Sequence, residues 1–310
     1  MSARPATVLG GAAAQDTLTP AWEWSMERIA DVVNAARAGT NLRPASWPGG
    51  ARVAVLLSFD VDNETVNLRF ARPTIGELSQ GQYGARQGLR RVVELLDRHD
   101  IPATFFIPAV SLRLAPGMAD VIKAAGHHEF AVHGWIHEMN SSLDGPTEKR
   151  LVQQAITELE QLTGYSPVGY RAPSWNFSAN TLDILRELGF LYDSSLMADD
   201  DPYEIESDGQ RTGIVELPVE WILDEAPLVN PRGNAYTTPR ELAQVWIDEF
   251  DVAYAERGMF VLTTHPHLIG HRSRMVALEL LIEHIRAKPG VWFATHRAAA
   301  EYVKPAANPG

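Results

Sequence analysis

The sequence predicts an α/β fold, a barrel of parallel strands joined by crossover helices, and three observations carry that expectation. Short β-branched runs alternate with amphipathic segments along most of the chain, as parallel strands and their crossovers require. The first buried run ends in Asp60-Val61-Asp62 rather than in the glycine-rich turn of a nucleotide-binding sheet. A later run leads straight into His133. Reactive side chains at strand ends are the arrangement of a barrel whose site lies at the carboxyl mouth.

Taken in order, residues 52–59 read as a fully buried strand, 86–99 as a helix, 103–107 as a strand and 118–125 as a helix ended by Gly126. A strand is expected at 129–132, a helix at 147–162 stopped by Gly164, a strand at 168–170 and a helix at 179–188 stopped by Gly189. Later strands fall at 191–193, 214–218 and 259–263, with helices at 239–257 and 273–287, while 199–213 and 227–236 read as long inserted loops. With no internal repeat and no long linker, one catalytic domain over residues 51–304 is expected. Residues 1–50 form an extension, in which 19–38 carry Trp22, Trp24, Met26, Ile29, Val32 and Val33 and read as an added helical arm.

Composition narrows the function. The 310 residues are 45% hydrophobic and 21% charged, an ordinary globular balance. Twenty-seven basic residues against 39 acidic ones give a net charge of -12 without a basic cluster, so nucleic acid is not an expected partner. The chain has no cysteine, which excludes disulfides and thiolate metal sites. The apolar stretch at 6–14 is too short and too glycine-interrupted for a signal peptide, and no run is long enough to span a membrane. A cytoplasmic protein is expected.

The chemistry concentrates in a few residues. His133 and His137 are four apart, a spacing that would place both imidazoles on one helical face, and a carboxylate from elsewhere would complete a three-ligand metal site with open positions. Asp60 and Asp62, at i and i+2 of a strand end, point to the same side and can both face a barrel mouth. Like charges that close need a cation or a shared proton. Asn63 and Glu64 could lie behind them, and Glu138 could orient an imidazole. Trp135 is read as pocket wall.

Four motifs in order carry a resemblance: Ser58-Phe59-Asp60-Val61-Asp62, His133-Gly134-Trp135-Ile136-His137, Arg171-Ala172-Pro173-Ser174-Trp175 and Leu262-Thr263-Thr264-His265-Pro266. Together, over residues 52–302, the chain resembles the polysaccharide deacetylase family (NodB homology, carbohydrate esterase family four). The single residue between the two aspartates resembles the intracellular branch of peptidoglycan deacetylase-like proteins, cyclic imide hydrolases and allantoinases. The resemblance implies a distorted (β/α) barrel, a divalent metal and hydrolysis of an amide-type carbon-nitrogen bond. It implies Asp62, His133 and His137 as metal ligands, Asp60 as general base, His265 as general acid, and Arg171 holding Asp60 ionised. Trp175 and Tyr170 join Trp135 as expected substrate contacts, and an acidic partner for Arg171 is sought at Asp193 or Asp199-Asp200-Asp201.

By ligand type the expected metal is Zn²⁺, with Co²⁺, Mn²⁺ or Ni²⁺ as alternatives. The substrate is an N-acetylated sugar or a small amide, with cyclic imide or ureide ring opening as the alternative and a non-catalytic sugar-binding barrel as the second. The apolar arm, beside the assemblies formed by the intracellular relatives, points to a homo-oligomer, a dimer or tetramer.

Overall fold

The longest apolar run becomes the axis of the fold. In the computed structural model, which describes residues 19–69, 73–229 and 236–307, ten strands form one curled sheet. They are β1 (Arg37–Asn41), β2 (Val53–Asp60), β3 (Thr104–Ile107), β4 (Glu129–Val132), β5 (Gly169–Tyr170), β6 (Tyr192–Asp193), β7 (Tyr203–Ser207), β8 (Gln210–Glu216), β9 (Met259–Thr264) and β10 (Val291–Ala294). One flank of β2 pairs with β9; the other pairs with β10 along its first half and with β3 at its carboxyl end. The parallel series continues through β4, β5, β6 and β8. Among the described residues no ladder joins β8 to β9, and the segment after β8 meets β9 through an isolated parallel bridge from Asp224 to Thr263. The expected distorted barrel is therefore a curled half-barrel with an open seam.

Alternation along β2 sorts its side chains. Val53, Val55, Leu57 and Phe59 face the crossover helices with Leu89, Val92, Leu96, Leu278 and Leu281, whereas Ala54 and Leu56 face inward with Phe106, Ala131 and Tyr192. Burying one such branched or aromatic side chain contributes about 1.5–3 kcal/mol, so a one-residue slip of β2 would be heavily penalised. The same alternation turns Ser58 and Asp60 inward. The last helix, His296–Ala307, closes the inner cluster with Ala299, Ala300 and Val303.

Several expectations are corrected. Of the loop expected at 199–213, residues 203–213 are not a loop: β7 and β8 make an antiparallel hairpin through Asp208-Gly209, both at positive φ (49° and 69°). An Asp-Gly pair between alternating strands is a hairpin signal in its own right. The helix expected at 86–99 begins at Leu89, and a π-helical turn, Gly84–Gly88, links it to a helix at Ile75–Tyr83. The strand β10 and the final helix were not anticipated.

The arm is only partly helical. A short 3-10 turn, Ala21–Glu23, leads to a helix over Met26–Asn34 that is capped by Ser25, and residues 37–41 form β1, paired antiparallel with β7 at the sheet edge. None of the residues of that helix is buried, and Trp22 and Met26 are 84% and 76% exposed. Leu42 and Trp47, by contrast, are buried in the inner cluster. Residues 6–14 and part of the loop expected at 227–236 lie outside the described residues; the portion described as Glu225–Val229 is a short helix.

Candidate metal centre and active site

Strand ends deliver Asp60, Asp62, His133 and His265 to one cavity of about 380 Å³ and set the buried Arg171 behind it. Asp60 closes β2 and Asp62 follows on the same side, the intervening Val61 being pinned by a bond from its N–H to the Phe106 carbonyl. His133 follows β4, Arg171 follows β5, and His265 follows β9.

The two histidines do not share a helix. Gly134 and His137 both take positive φ (73° and 63°), and the Trp135 and Ile136 N–H groups donate to the Glu138 carboxylate at 2.9 and 2.7 Å. A carboxylate folding back on two amides makes a tight loop instead of a helical turn. Glu138 therefore shapes this loop and orients no imidazole. The loop still brings the rings together, with centroids 5.2 Å apart.

Tautomer and distance identify what these groups could hold. His133 Nδ1 donates to the Arg171 carbonyl at 2.8 Å, leaving the Nε2 lone pair 3.5 Å from Asp62 Oδ1. Asp62 Oδ2 lies 3.5 Å from His137 Nε2, and Asp62 Oδ1, although buried, receives no hydrogen bond. Acceptors facing one another in a buried site need a cation between them. A tetrahedral ion with ligands near 2.1 Å has ligand-ligand edges of about 3.4 Å, close to the separations seen here. The donor set fits a divalent metal. Burial raises the Asp62 carboxyl to about 6, with the Asp60 charge adding to the shift and His265 and His133 opposing it.

Asp60 is different. Burial works to raise its pKa, yet the Arg171 guanidinium, with His133 and His265, holds it below its ordinary value. Arg171 Nη1 donates to Asp60 Oδ1 at 2.7 Å. That settles the acidic partner of Arg171: it is Asp60 itself, and the arginine's other contacts are Ser58, Ser194 and His296 rather than Asp193 or the 199–201 cluster. Asp193 instead accepts from Ser195, whose hydroxyl also takes the Ala172 N–H.

His265 brings a partner the sequence did not single out. Its Nδ1 meets Glu225 Oε2 at 2.9 Å, its backbone N–H donates to Glu225 Oε1 at 2.6 Å, and Asp224 Oδ1 stands 3.7 Å away. Burial opposes the charged ring, but Glu225 and Asp224 overcome it and hold the pKa well above the ordinary histidine value. His267, on the same cavity wall, is pushed down to about 3 by burial and by the positive His265, so it has no proton to give near neutrality.

The expected substrate contacts divide. Trp175 lines the cavity, its ring 4.2 Å from that of Trp221, a second aromatic wall that was not foreseen. Trp135 packs half-buried against the main core, and Tyr170 is fully buried with its hydroxyl taking a bond from Asn140. Neither reaches the cavity. Asn63 turns away to Ser111. Glu225 was illegible because no strand pattern marks it; the bridge between Asp224 and Thr263 and its own bonds to His265 set it beside β9.

The fold and the site define a class, the hydrolases of amide-type carbon-nitrogen bonds built on a NodB-type barrel. Residues 80–192 match the family model described as polysaccharide deacetylase. The peptidoglycan deacetylase of Helicobacter pylori is 30% identical over 258 residues, covering 74% of this chain and 88% of that protein. The chain belongs to the polysaccharide deacetylase family. A crystal structure from Mycobacterium smegmatis, assigned to the polysaccharide deacetylases, aligns with TM-score 0.80 and 36% identity over 87% of this chain and 96% of that one. The structure of PuuE allantoinase aligns with TM-score 0.75 and 26% identity over 85% and 94%.

Proposed function

We propose that this protein is a metal-dependent amide hydrolase that removes an N-acetyl group, with Asp60 as general base, His265 as general acid and Asp62, His133 and His137 as metal ligands. One observation carries the reading: within 4 Å of the ligand triad stand a carboxylate held ionised by a buried arginine (3.6 Å) and an imidazole held protonated by a buried glutamate (3.8 Å). A bound divalent ion, with Zn²⁺ first by ligand type, supplies Lewis acidity for the carbonyl and acidifies its water. Asp60 takes a proton from the attacking water, and Arg171 keeps the carboxylate pointed for that transfer. His265 gives its proton to the leaving nitrogen, and Glu225 steadies the ring as its charge changes. The Trp175 and Trp221 faces suit a sugar ring.

A second reading, opening of a cyclic imide or ureide ring, draws on the likeness to the allantoinase structure. Among the described residues no helix is long and apolar enough to cross a membrane, and with the absence of cysteine this supports cytoplasmic action. The deciding experiment is a panel on metal-defined protein, with acetate release from N-acetylated sugars, imide ring opening and ureide hydrolysis scored side by side. Acetate release is expected to dominate. Ring opening without acetate release would overturn the first reading, and no turnover of any substrate would favour a sugar-binding barrel.

A further inference from the structure

Arg171 has five N–H bonds and is fully buried, so each needs an acceptor. Nε donates to the Ser194 carbonyl (2.9 Å), Nη1 to Asp60 Oδ1 (2.7 Å) and Ser58 Oγ (2.9 Å), and Nη2 to Ser194 Oγ (2.8 Å). Both serine hydroxyls give their own protons elsewhere, Ser58 to the Leu262 carbonyl and Ser194 to the Leu217 carbonyl, so they are acceptors here. The fifth donor faces His296 Nε2 at 3.4 Å.

The polarity of His296 is set from its far side. Its Nδ1 lies 3.2 Å from Thr104 Oγ1, and that hydroxyl gives its proton to Glu129 Oε2 at 2.9 Å. Above about pH 7, where Glu129 is ionised, its carboxylate can only receive that proton, and the same oxygen also takes the Arg297 N–H. Thr104 Oγ1 is therefore an acceptor towards His296, whose backbone N–H reaches it as well at 2.8 Å. With Nδ1 carrying the proton, Nε2 presents a lone pair to Arg171. The reverse tautomer would set an N–H against a guanidinium N–H in a site without water access. The Phe106 ring completes the cradle, with the guanidinium carbon 3.9 Å from its centroid and the imidazole edge-on at 5.2 Å.

We propose that His296 is a positioning residue for the hydrolysis: as a neutral Nδ1–H imidazole, anchored through Thr104 to Glu129, it engages the last free donor of Arg171 and fixes the guanidinium plane that orients Asp60. The inference rests on the reading of Asp60 as the base. His296 is on the first turn of the final helix and outside the cavity, so it acts through Arg171 and touches no substrate. Burial, reinforced by the Arg171 charge, lowers its pKa well below the ordinary value, in keeping with a ring that stays neutral.

Two measurements test it. Long-range ¹H-¹⁵N correlation spectra of the full chain, with the His296 signals assigned by their loss in His296→Gln, should show a protonated Nδ1 and a bare Nε2. An Nε2–H tautomer or a doubly protonated ring overturns the proposal whatever the enzyme hydrolyses. In the second, His296→Leu, which keeps bulk but offers no acceptor, should lower kcat about a hundredfold with KM and metal content unchanged. His296→Gln, whose amide oxygen can take the same bond, should stay within about tenfold of wild type. Wild-type kcat in a folded, metal-replete His296→Leu protein would overturn the positioning role. Should no substrate of the panel be turned over, the base reading falls and the spectra still decide the hydrogen-bond chain.

Discussion

Two carboxylates two residues apart do different work because their neighbours differ. Asp60 has a guanidinium and Asp62 has two imidazole nitrogens. Asp60→Asn should keep the metal and lower turnover by at least about a hundredfold, whereas Asp62→Asn should lose both, read by elemental analysis beside kinetics. Wild-type turnover in Asp60→Asn would remove it from the role of base. Deeper in the barrel, burial raises the Glu129 carboxyl to about 7 against the bonds from Arg297, Tyr192 and Thr104. Between about pH 4.5 and 7 the folded state then binds a proton that the unfolded state has released, so this group's contribution is full below pH 4.5 and fades as pH rises to 7. Denaturant titrations should show that decline and find it flattened in Glu129→Gln. A decline of equal slope in that variant would assign it to other groups.

At the scale of elements, the parallel strands and most crossover helices were legible because each buries an unbroken or strictly periodic apolar face. That legibility extended to Asp60, Asp62, His133, Arg171 and His265, which all sit at the carboxyl ends of such strands. It failed where a loop sets the geometry. The spacing of His133 and His137 reads as helical, and only the left-handed Gly134 with the Glu138 carboxylate makes it a loop. Trp135 and Tyr170 stand beside reactive residues in sequence, yet the Glu138-pinned loop packs the first against the core and the second is buried in β5 beneath the mouth. A Cβ at position 134 would sit 2.8 Å from Pro173 Cγ as well as at φ 73°. Gly134→Ala should therefore cost roughly 1–3 kcal/mol in unfolding experiments and weaken metal binding in a titration. Unchanged stability and unchanged affinity would show that the loop tolerates the substitution without moving His137.

For the molecule as a whole, the apolar stripe of the arm could be covered by its own barrel or by a second copy. A fold-back across the chain's own barrel is not what the described residues show: the Met26–Asn34 helix buries none of its residues, while β1 ties its base to the sheet edge. Trp22, Met26, Val32 and Val33 are left facing solvent, an apolar stripe suited to a second copy in a symmetric homo-oligomer. Replacing Trp22 and Met26 by glutamate should lower the assembled mass in light scattering and leave the metal content intact. A full-length protein already monomeric at micromolar concentration would exclude the assembly role. Truncation for this purpose should stop short of Arg37, since β1 protects the β7 edge.

The open seam between β8 and β9 gives the site two unequal halves. The base, its arginine and the metal ligands stand on one continuous hydrogen-bonded wall, while Asp224, Glu225 and Trp221 stand on a segment that meets that wall through one β-bridge and the two bonds between Glu225 and His265. Directed evolution can therefore exchange the 221–229 segment as a cassette. Such libraries would retune the acid and the leaving-group side of the cavity together, and leave the hydrolytic half of the machine as inherited.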